Sequence, residues 1–129
     1  MSNCTVETCT VETSDGAKLN TRLFRPREAK DRDKEGNDPV VVLVHPYSVL
    51  GGCQGLLRGI ASGLAEKGFE AVTFDMRGVG RSTGKASLTG FAEIKDVIAV
   101  CKWVSENLAA NRILLVGSSA GMCLFCVCG

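Results

Sequence analysis

The feature that most constrains this chain is a buried-strand segment that runs directly into a glycine–serine turn. The apolar residues 113–116 are β-branched at both ends, which is typical of a short strand covered on both faces. The pattern Gly-x-Ser-x-Gly comes at once after them, centred on Ser119. In this pattern the serine occupies a sharp strand-to-helix turn that lifts its hydroxyl clear of the sheet. Gly117 and Gly121 allow the close backbone approach that such a turn requires.

The residues before this turn alternate between strand patterns and helix patterns. The unbroken apolar run at 40–44 predicts a buried strand, and residues 69–74 are predicted to form another strand. A first helix over 56–64 is predicted to end at Gly68. Alternating units of this kind build a parallel sheet with right-handed crossovers. A second amphipathic helix is predicted from apolar residues that recur every three or four positions: Phe91, Ile94, Val97, Cys101, Val104 and Leu108.

The N-terminus contains a five-residue repeat, Cys-Thr-Val-Glu-Thr, at 4–8 and again at 9–13. Thr and Val favour strands, but an odd-numbered repeat reverses faces from copy to copy. Only one of Val6 and Val11 can therefore point inward in a straight strand, and we expect the second copy to be the better ordered. The turn residues 14–16 and a returning strand over 18–24 complete a predicted antiparallel hairpin.

Three motifs, in this order, resemble the N-terminal half of an α/β-hydrolase of the esterase or serine-aminopeptidase-like branches. The resemblance covers residues 11–121. It implies one α/β domain over residues 1–129, with a mostly parallel sheet in the strand order 1-2-4-3-5, an N-terminal antiparallel hairpin and helices on both faces. The motifs are His45-Pro46 with Gly51-Gly52 after the third strand, Asp75-x-Arg77-Gly78-x-Gly80-x-Ser82 after the fourth, and Gly117-x-Ser119-x-Gly121 after the fifth.

This resemblance implies hydrolysis of a carboxylic ester, thioester or peptide bond in a small acyl substrate, without a cofactor. Ser119 is the implied nucleophile. The oxyanion that its attack creates requires preorganised N–H donors. The implied donors are the backbone N–H groups of Ala120 and Tyr47, because Pro46 has none.

Three further residues of the motifs are candidate supporting residues: His45, Asp75 and Arg77. The loop that carries Asp75 and Arg77 is expected to be a solvated turn closed by local hydrogen bonds. Its Gly78-Val79-Gly80 segment also raises the alternative of nucleotide binding. A dinucleotide fingerprint would need a third glycine where Thr83 stands, and a phosphate loop would need Ser or Thr after Lys85. Both patterns fail.

The chain departs from the family pattern after its nucleophile. In the family, a catalytic acid and then a histidine follow the serine. Residues 120–129 contain no Asp, Glu or His, and His45 is the only histidine of the chain. We therefore expect an incomplete domain with an atypical tail over 122–129, inactive or nearly so by itself. The alternative is a non-catalytic isoform or fragment. The strand before Ser119 would then be an exposed sheet edge, through which copies could self-associate.

The charge, the lengths of the apolar stretches and the cysteine spacing argue against a nucleic acid, a membrane or a metal as partner. The formal net charge of +1 offers no basic excess for a nucleic acid. No apolar stretch is long enough to span a bilayer and no secretory leader follows Met1, so we expect a cytoplasmic protein without a membrane partner. The seven cysteines are then expected to be reduced thiols. Cys123, Cys126 and Cys128 lack a second pair of ligands, which predicts a short apolar helical turn and no bound metal.

Overall fold

The computed structural model describes residues 4–26, 39–45, 54–85, 91–108, 112–119 and 122–128. These residues form a single sheet with one α-helix on each face. A short 3₁₀ turn, Gln54–Leu57, leads into the first helix. In chain order the elements are β1 (Cys4–Glu12), β2 (Lys18–Pro26), β3 (Val40–Val44), α1 (Arg58–Glu66), β4 (Ala71–Phe74), α2 (Phe91–Asn107), β5 (Ile113–Ser119) and β6 (Met122–Cys128).

The sheet is mixed, with a parallel centre. Its strand order is β1-β2-β4-β3-β5-β6. Strands β4, β3 and β5 are parallel, whereas β1 and β2 form an antiparallel pair that joins β4 antiparallel. The predicted order 1-2-4-3-5 is confirmed. The sixth strand, antiparallel to β5, was not predicted.

Alternation along the central strands divides the core into two layers. Val40 and Val42 pack into the apolar cluster that contains Val100 and Val104 of α2. Val41 and Leu43 pack into the cluster that contains Ala61 and Ala65 of α1. Successive strand residues point to opposite faces, so the unbroken apolar run of β3 serves both layers. The predicted cover of helices on both faces is confirmed.

The N-terminal repeat lies entirely within β1 and the turn after it. Val11 is buried and Val6 is 46% exposed, as the reversal of faces predicts. The hairpin turn is closed by the Thr13 N–H, which donates to the Ala17 carbonyl at 2.8 Å. Gly16 has a φ of +87°, a left-handed conformation that glycine adopts without strain.

The first helix ends as its sequence predicts. Gly68, with a φ of +97°, donates its N–H to the Ala65 carbonyl, and the Phe69 N–H donates to the Leu64 carbonyl. These two bonds form a Schellman motif, which satisfies carbonyls that the end of a helix leaves free. Neither helix in the described residues combines the length and the apolar character needed to cross a membrane.

The predicted buried face of α2 is partly wrong. Ile94, which was predicted to be buried, is 52% exposed, whereas the acidic Glu93 and Asp96 are buried. The helix is rotated so that an acidic side chain points toward the sheet. The cause of this rotation is Arg77, a buried arginine in the loop after β4, which donates hydrogen bonds to Asp96.

Candidate active site

The implied nucleophile lies at the carboxyl end of the parallel centre. The register of β5 against β3 pairs Val44, the last residue of β3, with Gly117. Strand β5 therefore extends past the end of β3, as far as Ser119, and His45 is the residue that follows β3. Carboxyl ends of parallel strands are where α/β sheets place their ligand sites. Ser119 is described here by its backbone. Tyr47, Ala120 and Gly121, the other implied residues of the oxyanion site and turn, lie outside the described residues.

The segment after this turn differs from the prediction. A nucleophile turn leads from a strand into a helix, and the cysteine-rich tail was predicted to be a short helical turn. Instead β6 pairs antiparallel with the whole of β5, from Ile113 opposite Cys128 to Ser119 opposite Met122. The expectation that β5 is an open edge is therefore wrong as well. An unpaired edge leaves a row of backbone donors and acceptors unsatisfied, and the tail satisfies them as a strand.

His45 is buried and its imidazole is hydrogen-bonded to a backbone group. Its side chain is 1% exposed. Its Nε2 accepts a hydrogen bond from the Met76 N–H at 2.9 Å. An imidazole nitrogen that accepts from a backbone N–H carries no proton itself, so the ring proton is assigned to Nδ1. His45 thus ties the end of β3 to the loop after β4, and it has no nitrogen ready to take a proton from a serine hydroxyl.

Asp75 ties the same loop to the beginning of the first helical segment. Its Oδ1 accepts from the Gln54 backbone N–H at 3.0 Å, and its Oδ2 accepts from Gln54 Nε2 at 2.9 Å. The Gln54 carboxamide also accepts from Thr73 Oγ1 and donates to the Asn20 carbonyl. Each buried polar group in this cluster has a partner, which is what makes its burial tolerable.

Gly80 is required by the position of that carboxylate. Its φ is +54°, and a Cβ at this residue would lie 2.8 Å from Cγ of Asp75. Any side chain here would be strained in its backbone and would also overlap Asp75. Ser82 closes the loop on the other side: its hydroxyl donates to the Asp75 carbonyl at 2.6 Å and accepts from the Asn20 N–H.

Arg77 joins the hairpin turn to α2 through a charged network. Its guanidinium donates to both carboxylate oxygens of Asp15, at 2.7 and 3.0 Å. It also donates to Oδ1 of Asp96, from Nε at 3.0 Å and from Nη2 at 2.8 Å, while the Arg77 backbone N–H donates to Oδ2. Hydrogen bonds from Arg77 lower the pKa of Asp15 and, together with those to Asp96, raise the pKa of Arg77.

The loop is therefore not the solvated turn that the sequence predicted. Asp75 and Arg77 are 5% and 7% exposed, and their partners lie on other elements. Sequence reasoning missed all three partners: Gln54 for Asp75, and Asp15 and Asp96 for Arg77. The available signal for Asp96 was its place among apolar residues of an amphipathic helix, where an acid needs a buried cation. Gln54 carried no comparable signal.

Cys4, Cys9 and Cys101 take part in no disulfide bond. Burial, with a smaller contribution from Glu7, raises the pKa of Cys9. Within the described part of the chain, no three His, Cys, Asp or Glu residues come together as metal ligands.

Comparison with known proteins identifies the family. The family model for X-Pro dipeptidyl-peptidases (S15 family) matches residues 15–122, which includes all three motifs. This chain belongs to the S15 family. The family lies within the α/β serine hydrolases, so the resemblance predicted from the three motifs is confirmed. An uncharacterized 31.7 kDa protein of the traX-finO intergenic region of Escherichia coli is 35% identical to this S15-family chain over 95 residues.

Solved structures of α/β hydrolases share the fold. An α/β serine hydrolase homologue from Coxiella burnetii is 27% identical, with a TM-score of 0.71 over 91% of this chain. A serine hydrolase without a lid from Xanthomonas campestris is 28% identical, with a TM-score of 0.65 over 87% of the chain. An esterase from Pyrococcus furiosus, 22% identical at a TM-score of 0.63 over 88% of the chain, shares the fold.

This S15-family chain is shorter than its relatives. It spans 52% of the Coxiella structure, 50% of the Xanthomonas structure and 42% of the Pyrococcus esterase. It spans 32% of the Escherichia coli relative. The matched region extends to residue 122, just beyond Ser119.

Proposed function

We propose that this chain carries the nucleophile half of a serine hydrolase site and does not turn over substrate by itself. Ser119 would attack the carbonyl carbon of an ester, thioester or peptide. The observation that carries this proposal is the position of Ser119 at the carboxyl end of β5, beside β3, within the segment that matches the family. An X-Pro dipeptidyl-peptidase family and an esterase of the same fold both support an acyl substrate.

The general base for Ser119 is the part of the site that this sequence does not supply in the family's order, because no histidine follows the serine. A serine needs a general base within about 2.6–3.2 Å, and the base needs an orienting group. The only histidine of the chain, His45, would have to lose its bond from Met76 before its Nε2 could serve. We therefore propose that the base and its acid are supplied from outside these 129 residues.

The buried carboxylates offer no substitute for that acid. Both oxygens of Asp75 accept from Gln54, and both oxygens of Asp96 accept from Arg77. A carboxylate that orients a catalytic histidine must keep one oxygen for the imidazole N–H. Asp75 and Arg77 are instead positioning residues, which hold the loop beside the site.

A second candidate function, a non-catalytic fragment, is favoured by β6. In a nucleophile turn, the N–H that follows the serine opens a helix and points at the oxyanion. Here Ser119 pairs with Met122 across an antiparallel ladder. The two candidates agree that the isolated chain is inactive and differ on whether Ser119 becomes reactive in a complete domain.

Hydrolysis of p-nitrophenyl acetate and labelling with a fluorophosphonate test the isolated chain. We expect the wild type to match Ser119→Ala in both measurements. His45→Gln removes the imidazole but retains an acceptor for the Met76 N–H, so it tests His45 as a base without removing that hydrogen bond. Turnover that disappears in both variants would make His45 the base and overturn the proposal of an inactive chain.

A chimera tests the nucleophile itself. Residues 1–121 replace the matched N-terminal half of the Xanthomonas serine hydrolase, which then supplies the rest of the domain. We expect this chimera to react with the fluorophosphonate and its Ser119→Ala version not to react. A chimera that melts cooperatively and still fails to react would favour the non-catalytic fragment.

A further inference from the structure

Strand β1 lies at one end of the sheet and presents an unusually unprotected edge. Its nine residues pair with β2 without interruption, from Cys4 opposite Pro26 to Glu12 opposite Lys18. Proteins protect edge strands with lysines, prolines, bulges or short length. The sequence of β1, CTVETCTVE, has no lysine, proline or bulge over its nine residues, and its only charged side chains are Glu7 and Glu12. No other strand of the described residues pairs with its outer side.

The hydrogen-bond pattern of the hairpin determines which residues face that free edge. The Thr13 N–H donates to the Ala17 carbonyl, so Thr13 and Ala17 form a hydrogen-bonded pair. Bonded and non-bonded pairs alternate along an antiparallel ladder. The odd-numbered residues of β1 therefore direct their backbone groups to β2. The even-numbered ones, including Val6, Thr8 and Thr10, direct theirs outward.

We propose that β1 pairs antiparallel with β1 of a second copy of this chain, about a two-fold axis at Thr8. The residues that direct their backbone groups outward must lie opposite each other in the two copies, so even-numbered positions face even-numbered positions. With the axis at Thr8, all nine residues of the strand are paired and Val6 lies opposite Thr10. Glu7 then lies opposite Cys9, which places no like charges across from each other. The sheets of the two copies become continuous.

The neighbouring registers are less favourable. An axis at Glu7 places the two Glu7 carboxylates directly opposite each other, and like charges at such positions destabilise a sheet. An axis at Cys9 leaves Cys4 and Thr5 without partners and sets Val6 against Glu12. The five-residue repeat thus selects one register, because it places threonine at the centre of the strand.

The side chains on both faces accommodate this pairing. On one face Val6, 46% exposed, and the exposed Thr8 and Thr10 would meet their counterparts as β-branched cross-strand pairs. On the other face, a groove of about 450 Å³ lies between β1 and α2 and is lined partly by Val11, Ile98 and Trp103. Thr5 of the second copy would lie opposite Val11 and enter this groove. Ile98, 60% exposed, would be covered.

Sedimentation equilibrium of the full chain tests the interface. We expect a concentration-dependent dimer, and Val6→Lys should raise its dissociation constant by at least about tenfold by adding a charge beside the axis. Ile60→Lys is the matched control, because Ile60 is also an exposed β-branched residue, on α1. It should leave the dimer unchanged. A monomeric wild type, or a dimer that is insensitive to Val6→Lys, would overturn the proposal; the latter result would indicate association elsewhere, for instance at the edge of β6.

Cysteine crosslinking tests the register in a Cys9→Ser parent. Thr8→Cys places two thiols directly opposite each other, at a Cα separation of about 5.5 Å that a disulfide spans. Thr10→Cys places its two thiols four residues apart along the strands, about 13 Å, which a disulfide cannot span. We expect an interchain crosslink above the parent's background only with Thr8→Cys. Equal crosslinking of both variants, or of neither, would refute the register.

Discussion

The buried charge network around Arg77 gives the most demanding test of how this chain is held together. Arg77→Met keeps a long apolar side chain and removes the guanidinium. Asp96, which is 0% exposed, then loses its hydrogen bonds from Nε and Nη2 and retains only that from the Arg77 backbone N–H. A buried carboxylate is left without its counter-charge.

The expected loss follows from that uncompensated charge. Removing one partner of a buried ion pair costs about 3–5 kcal/mol. Domains of this size unfold with about 5–15 kcal/mol, so the variant loses a large share of its stability. With an unfolding entropy of about 2.1 cal/mol/K per residue, the loss corresponds to a fall in Tm of about 10–20 °C.

Thermal and urea unfolding followed by circular dichroism measure this loss. Arg25→Met is the matched control, because Arg25 is 40% exposed and its nitrogens lie 3.7 and 3.8 Å from Glu7 and Glu70. The pair with Glu7 is exposed on both sides and contributes about 0–1 kcal/mol. The side chain of Glu70 is only 14% exposed, so Arg25→Met should lose less than Arg77→Met but more than an exposed pair alone. The double variant Arg77→Met/Asp96→Leu should recover at least half of the loss, because it removes the orphaned charge. An Arg77→Met variant within about 1 kcal/mol of the wild type would refute the reasoning.

Two further predictions concern the same loop and turn. Gly80→Ala should destabilise the protein by about 1–3 kcal/mol more than Gly16→Ala, because both residues have positive φ but only Gly80 lies against Asp75; equal losses in urea unfolding would contradict this. Hydrogen bonds from Arg77 lower the pKa of Asp15, so this carboxylate stabilises the fold above its unfolded pKa of about 3.9 and stops doing so as the pH falls through its lower folded pKa. The difference in Tm between the wild type and Asp15→Asn should therefore shrink on acidification from about pH 6 to pH 2, and a difference independent of pH would count against the assignment.

Local pattern was sufficient for the parallel centre and the hairpin. The apolar run of β3 was predicted with the bounds that the structure has, because five consecutive apolar residues suit a strand buried on both faces. The opposite fates of Val6 and Val11 follow from the two-residue period of a strand acting on a five-residue repeat. Gly68 was predicted to end α1 because glycine adopts a left-handed conformation freely. The three motifs also predicted that the chain is an α/β-hydrolase.

The tertiary structure alone determined which side of α2 is buried and that the chain after Ser119 returns as a strand. Periodicity locates an apolar stripe, but it carries no information on a distant charge. A buried Arg77 without a partner would cost several kcal/mol, more than is lost by leaving Ile94 exposed, about 1.5–3 kcal/mol for a whole side chain; the helix therefore turns Asp96 inward. The tail forms β6 because the edge of β5 leaves backbone groups unpaired, and that demand exists only once the sheet has formed.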